Sequence, residues 1–302
     1  MYYEEELKIK LLKTRAPVTV EQYIKRLRVL NDNQPIKNLK FFLESEDVLN
    51  KIESLPLSFS TKTSYLTAIS ATLSLFPKFK KLYKVYQAKM ISNANQIKEE
   101  YSKNELNDKQ KESIVPMSEI IKVREEFKEK DGWMNLVTYV LISLYTMTPP
   151  RRNEYALMYI VMDAESATDE SRNYYIASTA QFLFHNYKTK KVYGKQLLDV
   201  PDELKAVLDN YIEKYIEKFN PLDDEFPLLV SASGKMLNKT NGITNVLNKA
   251  FGKNIGSSAL RHIFISDKYG DGLKERKGDS LAMGHSLSTQ MEYCKTDVGA
   301  QC

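Results

Sequence analysis

Apolar side chains recur at helical spacing through the first hundred residues. Thr19 and Gln22 have the spacing of a capping box. The apolar positions that follow Thr19 are three or four residues apart and are Val20, Tyr23, Ile24, Leu27 and Leu30. The same period predicts three more helices, at about 38–55, 60–76 and 82–101. Residues 1–102 are therefore predicted to form a small helical domain.

The pattern changes after residue 102. Residues 103–115 are polar and lack an apolar period, which is typical of a linker. Strands are predicted further along, at 174–178, 181–187 and 193–200, with a turn at 188–191 between the last two. Helices are predicted at about 117–130, 133–147, 201–218, 240–250, 257–269, 274–283 and 289–295. The pattern indicates a mainly α protein with a small antiparallel β-sheet, and its second domain spans residues 116–302.

Composition excludes several classes of protein. Hydrophobic residues make up 42% of the chain and charged residues 27%, which is typical of a globular protein. The longest apolar run, Met134 to Met147, is too short to span a bilayer. The two cysteines, Cys294 and Cys302, cannot form a disulfide framework or a zinc site by themselves. We therefore expect no membrane association and an intracellular, reducing compartment, with cytoplasm and nucleus both open.

The positive charge lies in the first part of the chain. Residues 1–120 hold 20 Lys and Arg against 15 Asp and Glu, whereas the remainder holds 24 of each. No acidic residue occurs from Ser54 to Lys98, and aromatic residues alternate with the lysines there. A phosphate backbone is a fitting partner for such a segment, although charge alone also fits a membrane surface or a solvated face. The lysines expected to contact DNA are Lys62, Lys78, Lys80, Lys81 and Lys84.

The sequence lacks the common cofactor motifs. None of its three histidines pairs with another at metal-ligand spacing, and no acidic cluster surrounds them. Glycine-rich phosphate loops and dinucleotide-binding fingerprints are also absent from the sequence. We therefore expect no metal and no cofactor.

Three segments carry residues suited to chemistry on an anion. Residues 148–154 read Thr-Pro-Pro-Arg-Arg-Asn-Glu, directly after the most apolar helix. Residues 258–264 place Arg261 inside an apolar helix, where an unpaired arginine is rare. Residues 283–293 contain Gly-His-Ser and end on Tyr293.

In this order the motifs resemble those of the tyrosine site-specific recombinases, or phage-type integrases. The family pattern is Arg-x-x-Glu, a β-turn lysine, Leu-Arg-His, Gly-His-Ser and a closing tyrosine, and the resemblance covers nearly the whole chain from about residue 17. The sequence around Arg151 most resembles that of members from large DNA viruses. The resemblance implies a helical core-binding domain followed by a tyrosine-recombinase catalytic domain. It implies catalytic roles for Arg151, Lys188, Arg261, His285 and Tyr293.

Two positions depart from the family pattern. The histidine expected three residues before the second arginine is Ser258 here, and the spacing from His285 to Tyr293 is eight residues rather than nine. His262 falls on the same helical face as Ser258 and could replace the missing histidine. The simpler interpretation is that His262 ties its helix to a backbone carbonyl. Glu154, Ser258 and His262 are the candidates for supporting the catalysis, and Arg152 is a candidate phosphate contact.

The resemblance implies an enzyme that cleaves and rejoins DNA through a 3′-phosphotyrosyl intermediate, without metal or ATP. Its partners would be double-stranded DNA and, on DNA, three further copies of the chain in a homotetramer. Integration, excision and resolution all remain open. Two alternatives also remain: a type IB-like topoisomerase, and a DNA-binding relative that has lost catalysis.

Overall fold

The chain divides into two compact units, residues 1–105 and 106–302, each with a hydrophobic core of its own. The computed structural model describes residues 2–103, 105–106, 108–238 and 241–283. A short helix, Asp108–Ser113, lies inside the range predicted as a linker. The limits predicted from sequence, 1–102, 103–115 and 116–302, stay a prediction.

The first unit is helical, as the apolar period predicts. Its helices are α1 (Tyr2–Leu12), α2 (Pro17–Leu30), α3 (Ser45–Ser54), α4 (Phe59–Leu73) and α5 (Lys80–Ser102). The capping box at Thr19 is wrong, because α2 already begins at Pro17, whose fixed φ suits the first helical position. The helix predicted from residue 38 begins only at Ser45, after a single 3-10 turn over Lys40–Phe42.

A buried carboxylate fastens α1 to the rest of the first unit. Glu4 is 4% exposed and accepts hydrogen bonds from Arg28 Nε at 2.9 Å, from Arg28 Nη2, and from the Ile36 backbone N–H at 3.1 Å. The hydrogen bond from Arg28 is the main reason why the pKa of Glu4 lies below its ordinary value. Two helices and the following loop therefore meet at one charged side chain.

Glu4→Gln is expected to destabilise the protein by about 2 kcal/mol at neutral pH, since charged hydrogen bonds are lost. The folded-state pKa of Glu4 is below the unfolded one, so its stabilisation is present above the ordinary carboxyl pKa. That stabilisation disappears as pH falls through the folded-state pKa, and the two proteins should converge in acid. Urea unfolding followed by circular dichroism over pH 7 to 3 measures this. Glu6→Gln, at an exposed position paired with Lys10, is the control; a constant gap between Glu4→Gln and the parent would contradict the prediction.

The second unit combines helices with a five-stranded sheet. Its helices are α6 (Asp108–Ser113), α7 (Met117–Lys128), α8 (Trp133–Thr146), α9 (Lys190–Tyr193), α10 (Asp202–Phe219), α11 (Gly242–Phe251) and α12 (Ser257–Ala282). Its strands are β1 (Met158–Val161), β2 (Asn173–Ile176), β3 (Gln181–Phe184), β4 (Gln196–Asp199) and β5 (Glu225–Pro227), in the order β4-β3-β2-β1-β5. The mainly α class with one small sheet is confirmed.

The sheet is mixed rather than antiparallel throughout. β1 pairs with β2 in parallel, with Tyr159 opposite Tyr174, while the other three pairings are antiparallel. The sequence pattern missed β1, because a short apolar run does not distinguish a strand from a buried helical segment. β3 and β4 are also shorter than predicted, so residues 185–195 connect them in place of a four-residue turn.

α8 lies at the centre of the second unit. It packs against α7, α10, α11 and α12, and every residue from Val137 to Tyr145 is buried. This accounts for the longest apolar run of the sequence as a core helix. Within the described ranges, no helix has the length and apolar character needed to cross a membrane.

α12 is one continuous helix of 26 residues, where the sequence pattern predicts two. Gly270 and Gly272 lie inside it and do not interrupt it, since glycine weakens a helix by about 1 kcal/mol without removing a hydrogen bond. The further helix predicted at 289–295 lies outside the described residues.

Candidate active site

Arg151 lies where α8 gives way to β1. Its guanidinium Cζ is 4.0 Å from the centre of the Phe184 ring and 5.0 Å from that of Tyr187. One terminal nitrogen, Nη2, donates a hydrogen bond to Gln196 Oε1 at 2.9 Å. Phe184 and Gln196 face each other across the β3–β4 pair. The guanidinium is therefore held against the end of this strand pair by two aromatic rings and one amide.

Arg151 has no carboxylate partner in the part of the chain that the structure describes. Its Nε is buried without a hydrogen-bond partner, and so is Oε2 of Glu154, three residues further on. The two side chains form no ion pair with each other, although both are half-buried. A buried donor without an acceptor is costly, so the site is suited to receive an anion.

Arg261 lies on the first turns of α12, which are tied to the Arg151 segment. Ser257 Oγ donates to Asn153 Oδ1 at 2.9 Å, and Tyr145 on α8 donates to the backbone carbonyl of Arg152. Arg261 is half-buried and, like Arg151, is not ion-paired with any described carboxylate. These two hydrogen bonds bring α8, the Arg151 segment and α12 together.

The charged groups of this region affect the pKa values of two buried tyrosines. Burial raises the pKa of Tyr145 far above its ordinary value, and Tyr155 and Glu154 add to this, while Ser257 and the charge of Arg261 oppose it. Burial also raises the pKa of Tyr155 to about 12, against the effect of Arg151. The two rings meet edge-on with centroids 5.5 Å apart. Arg151, Glu154 and Arg261 therefore all act electrostatically on this pair of tyrosines.

Lys188 is exposed in the turn after β3 and forms no ion pair with a described residue. It directly follows Tyr187, whose ring contacts Arg151 and whose hydroxyl donates to the Gly194 carbonyl at 2.6 Å. Lys190, two residues further on, is paired with Glu170 at 3.7 Å. Lys188 is therefore the unpaired lysine that stands beside an Arg151 contact.

Ser258 and His262 line a pocket of about 220 Å³ between α6 and the start of α12, together with Gln110 and Ile114. Both side chains of the shared helical face therefore reach one pocket, and Arg261 is not among its lining residues. His262 is exposed and, among the described residues, makes no hydrogen bond to a backbone carbonyl. The interpretation that it ties its helix to a backbone carbonyl therefore has no support among the described hydrogen bonds and stays a prediction.

His285 and Tyr293 lie outside the described residues, and their roles stay predictions. So do the catalytic roles of Arg151, Lys188 and Arg261, whose positions alone are described here. Among the described residues, no group of three His, Cys, Asp or Glu side chains is close enough to hold a metal ion.

The five lysines predicted to contact DNA fall into two classes. Lys62 is half-buried and lies 3.7 Å from a carboxylate oxygen of Glu53, so its charge is already compensated. The expectation of a free DNA contact at Lys62 is not supported by this pairing. The other four are exposed and have no described carboxylate partner; this α5 lysine cluster comprises Lys78, Lys80, Lys81 and Lys84. The partial positive charge of the α5 N-terminus adds to theirs.

The sequence pattern missed the residues that hold Arg151 in place. Gln196 and Tyr187 were not singled out by any motif, and Gln196 is 45 residues away from Arg151 along the chain. The one signal is the short apolar run of β3, in which Phe184 is buried.

Comparison with known proteins gives little to add. No family model matches the chain, and no curated protein sequence matches it. Among solved structures, the chain is similar to a XerA recombinase, with 12% sequence identity, 94% of this chain and 92% of that chain covered, and a TM-score of 0.37. A TM-score at this level does not establish a shared fold. The likeness to members from large DNA viruses stays a prediction.

Proposed function

We propose that this protein is a site-specific DNA recombinase that cleaves and rejoins strands through a 3′-phosphotyrosyl intermediate, without metal or ATP. One observation carries the proposal furthest. Arg151 and Arg261 belong to one unit, are half-buried, and lack a carboxylate partner among the described residues. Guanidinium groups kept in this way favour an anion from outside, and a phosphodiester is an anion whose geometry suits two such forks.

The chemistry accounts for the residue types. The transition state of phosphoryl transfer spreads negative charge over the non-bridging oxygens, and Arg151 and Arg261 would stabilise that charge. His285 would donate a hydrogen bond to the same phosphate. Tyr293 would attack the phosphorus, and the ester it forms conserves the energy of the broken bond, so religation needs no ATP.

Cleavage requires two proton transfers: the attacking tyrosine hydroxyl loses a proton, and the leaving 5′-oxygen gains one as its bond to phosphorus breaks. Holding a tyrosine as phenolate at neutral pH costs about 4 kcal/mol, given its ordinary pKa of about 10, and the cationic site would offset much of this. Lys188 would donate a proton to the leaving 5′-oxygen as general acid. Ser258 occupies the position of the family histidine, and His262, which lines the same pocket, is the candidate to replace that histidine.

DNA binding by the first unit is a separate part of the proposal. Replacing Lys78, Lys80, Lys81 and Lys84 together with alanine is expected to weaken binding to all DNA sequences. Each lost phosphate contact also removes about 0.9 from the slope of log affinity against log salt, so the slope should flatten by roughly 3 to 4. Fluorescence anisotropy with labelled duplexes at several salt concentrations measures both.

The matched control removes the same number of positive charges from the second unit. It replaces four lysines that are exposed on α7 and α10 with alanine: Lys122, Lys128, Lys214 and Lys218. Their loss should change the slope much less. An equal change in both variants would show that the α5 lysine cluster acts only through net charge.

Two further functions use similar residues. A type IB-like topoisomerase would share the arginine, lysine, histidine and tyrosine chemistry but relax supercoils as a monomer. A DNA-binding relative without activity would bind duplexes and form no adduct. Tetramer formation on DNA would favour the recombinase over both.

Covalent adduct formation tests the proposal directly. The protein is incubated with labelled DNA in EDTA, denatured in SDS and separated by electrophoresis, and we expect a labelled band at the protein's position. Strict dependence on magnesium would contradict the mechanism. Binding without any adduct, on DNA that contains the source genome's candidate repeats, would favour the inactive relative.

A further inference from the structure

Two large apolar side chains stand exposed at the end of the β3–β4 pair. Val192 is 75% exposed and Tyr193 is 65% exposed, both on the single-turn helix α9. They lie within residues 188–195, here named the hairpin tip. Neither side chain has a role in the chemistry proposed above, and neither supports the core.

The charged residues in and near the hairpin tip are predominantly basic. No acidic residue occurs between Glu170 and Asp199, a stretch that contains four lysines and one arginine. Lys190 is paired with Glu170, and Arg172 with Asp169 and Glu225. The remaining three lysines are exposed and form no ion pair with a described residue: Lys188, Lys191 and Lys195. An anionic partner complements this surface, and alternating cationic and aromatic side chains are typical of contacts to nucleic acid.

Hydrogen bonds hold the hairpin tip in place. Tyr187 Oη donates to the Gly194 carbonyl at 2.6 Å, and the Gly194 N–H donates to the Lys190 carbonyl at 2.8 Å. Gly194 adopts φ +68°, which closes this short loop and which few other residues tolerate. Because Tyr187 also contacts Arg151, the loop is fixed relative to that guanidinium. An aromatic side chain on such a loop loses less conformational entropy on binding than one on a mobile loop.

We propose that the hairpin tip is a base-contact site, in which Tyr193 stacks on a DNA base that has left the duplex stack and Val192 packs beside it. This inference rests on the proposed binding of DNA. Phosphates on either side of the base would be neutralised by Lys191 and Lys195. An unstacked base is required because the faces of stacked bases are covered, and apolar side chains that enter DNA do so by opening a base step. The base concerned would be next to the phosphate that Arg151 binds.

A duplex with one bulged 2-aminopurine tests this site, compared with a fully paired duplex of the same flanking sequence. We expect tighter binding to the bulged duplex and quenching of the 2-aminopurine fluorescence as the base stacks on Tyr193. Tyr193→Ala should weaken binding to the bulged duplex by about 5- to 150-fold and remove the quenching, with little effect on the paired duplex. Tyr193→Phe keeps the aromatic face and should behave as the parent does.

Tyr269→Ala is the control, because Tyr269 is 55% exposed on α12 and does not belong to the hairpin tip. It should leave both duplex affinities unchanged. If Tyr193→Ala binds both duplexes as the parent does, the base-contact site is wrong while DNA binding stands. If the parent binds neither duplex, the proposed function fails with it. If Tyr193→Ala instead changes the sedimentation of the free protein, the hairpin tip is a contact between copies of this chain, and the inference is overturned.

Discussion

Replacing Tyr293 with phenylalanine is expected to abolish covalent attachment to DNA while leaving DNA affinity nearly unchanged. The substitution removes only the hydroxyl, which is the proposed nucleophile, and keeps the ring and its volume. The measurement is the adduct assay in EDTA, with anisotropy on the same DNA as the readout of binding.

A second tyrosine gives the matched control for this experiment. Tyr269 is exposed on α12, so Tyr269→Phe removes one hydroxyl from a helix of the same unit. It should form the adduct at the parent's rate. An SDS-resistant adduct with the Tyr293→Phe variant would show that another residue is the nucleophile. Loss of DNA binding in that variant would show that Tyr293 has a structural role.

Lys188→Ala is expected to slow strand cleavage by roughly 10²- to 10⁴-fold, the range typical of a lost general acid. Its place beside the Arg151 contact Tyr187, without an ion pair to a described residue, supports this role. A substrate with sulfur in place of the leaving 5′-oxygen has a better leaving group that needs no proton. Lys188→Ala should therefore cleave the sulfur substrate at close to the parent's rate. Single-turnover kinetics on the two substrates measures the difference.

The neighbouring lysines provide the comparison. Lys190 is paired with Glu170, and Lys191 is exposed on α9, so neither substitution by alanine should show rescue by sulfur. Equal slowing of Lys188→Ala on both substrates would mean that Lys188 positions or neutralises the phosphate. Rescue seen for Lys190→Ala and not for Lys188→Ala would move the role two residues along the connection.

The sequence by itself determined the helical first unit and the core position of α8. Both follow from burial of one face or of a whole helix, which leaves a regular period or a continuous apolar run in the chain. The segments around Arg151 and Arg261 were also found from sequence, because unusual residue types in an apolar setting are visible without a structure. Lys188 was selected by the resemblance alone. Burial within one element and residue type can both be inferred from the residues nearby in the sequence.

Only the tertiary structure decided which side chains meet. Gln196 reaches Arg151 across 45 residues, and Lys62 lies against Glu53. The charge of Lys62 is therefore compensated by a carboxylate, whereas Arg151 is held by a neutral amide. The parallel pairing of β1 with β2 likewise depends on a partner strand that no local pattern specifies. The apolar period of a sequence shows which residues of a helix or strand are buried and which face the solvent. Contacts between distant elements are set by packing, which brings residues together whatever their separation in the chain.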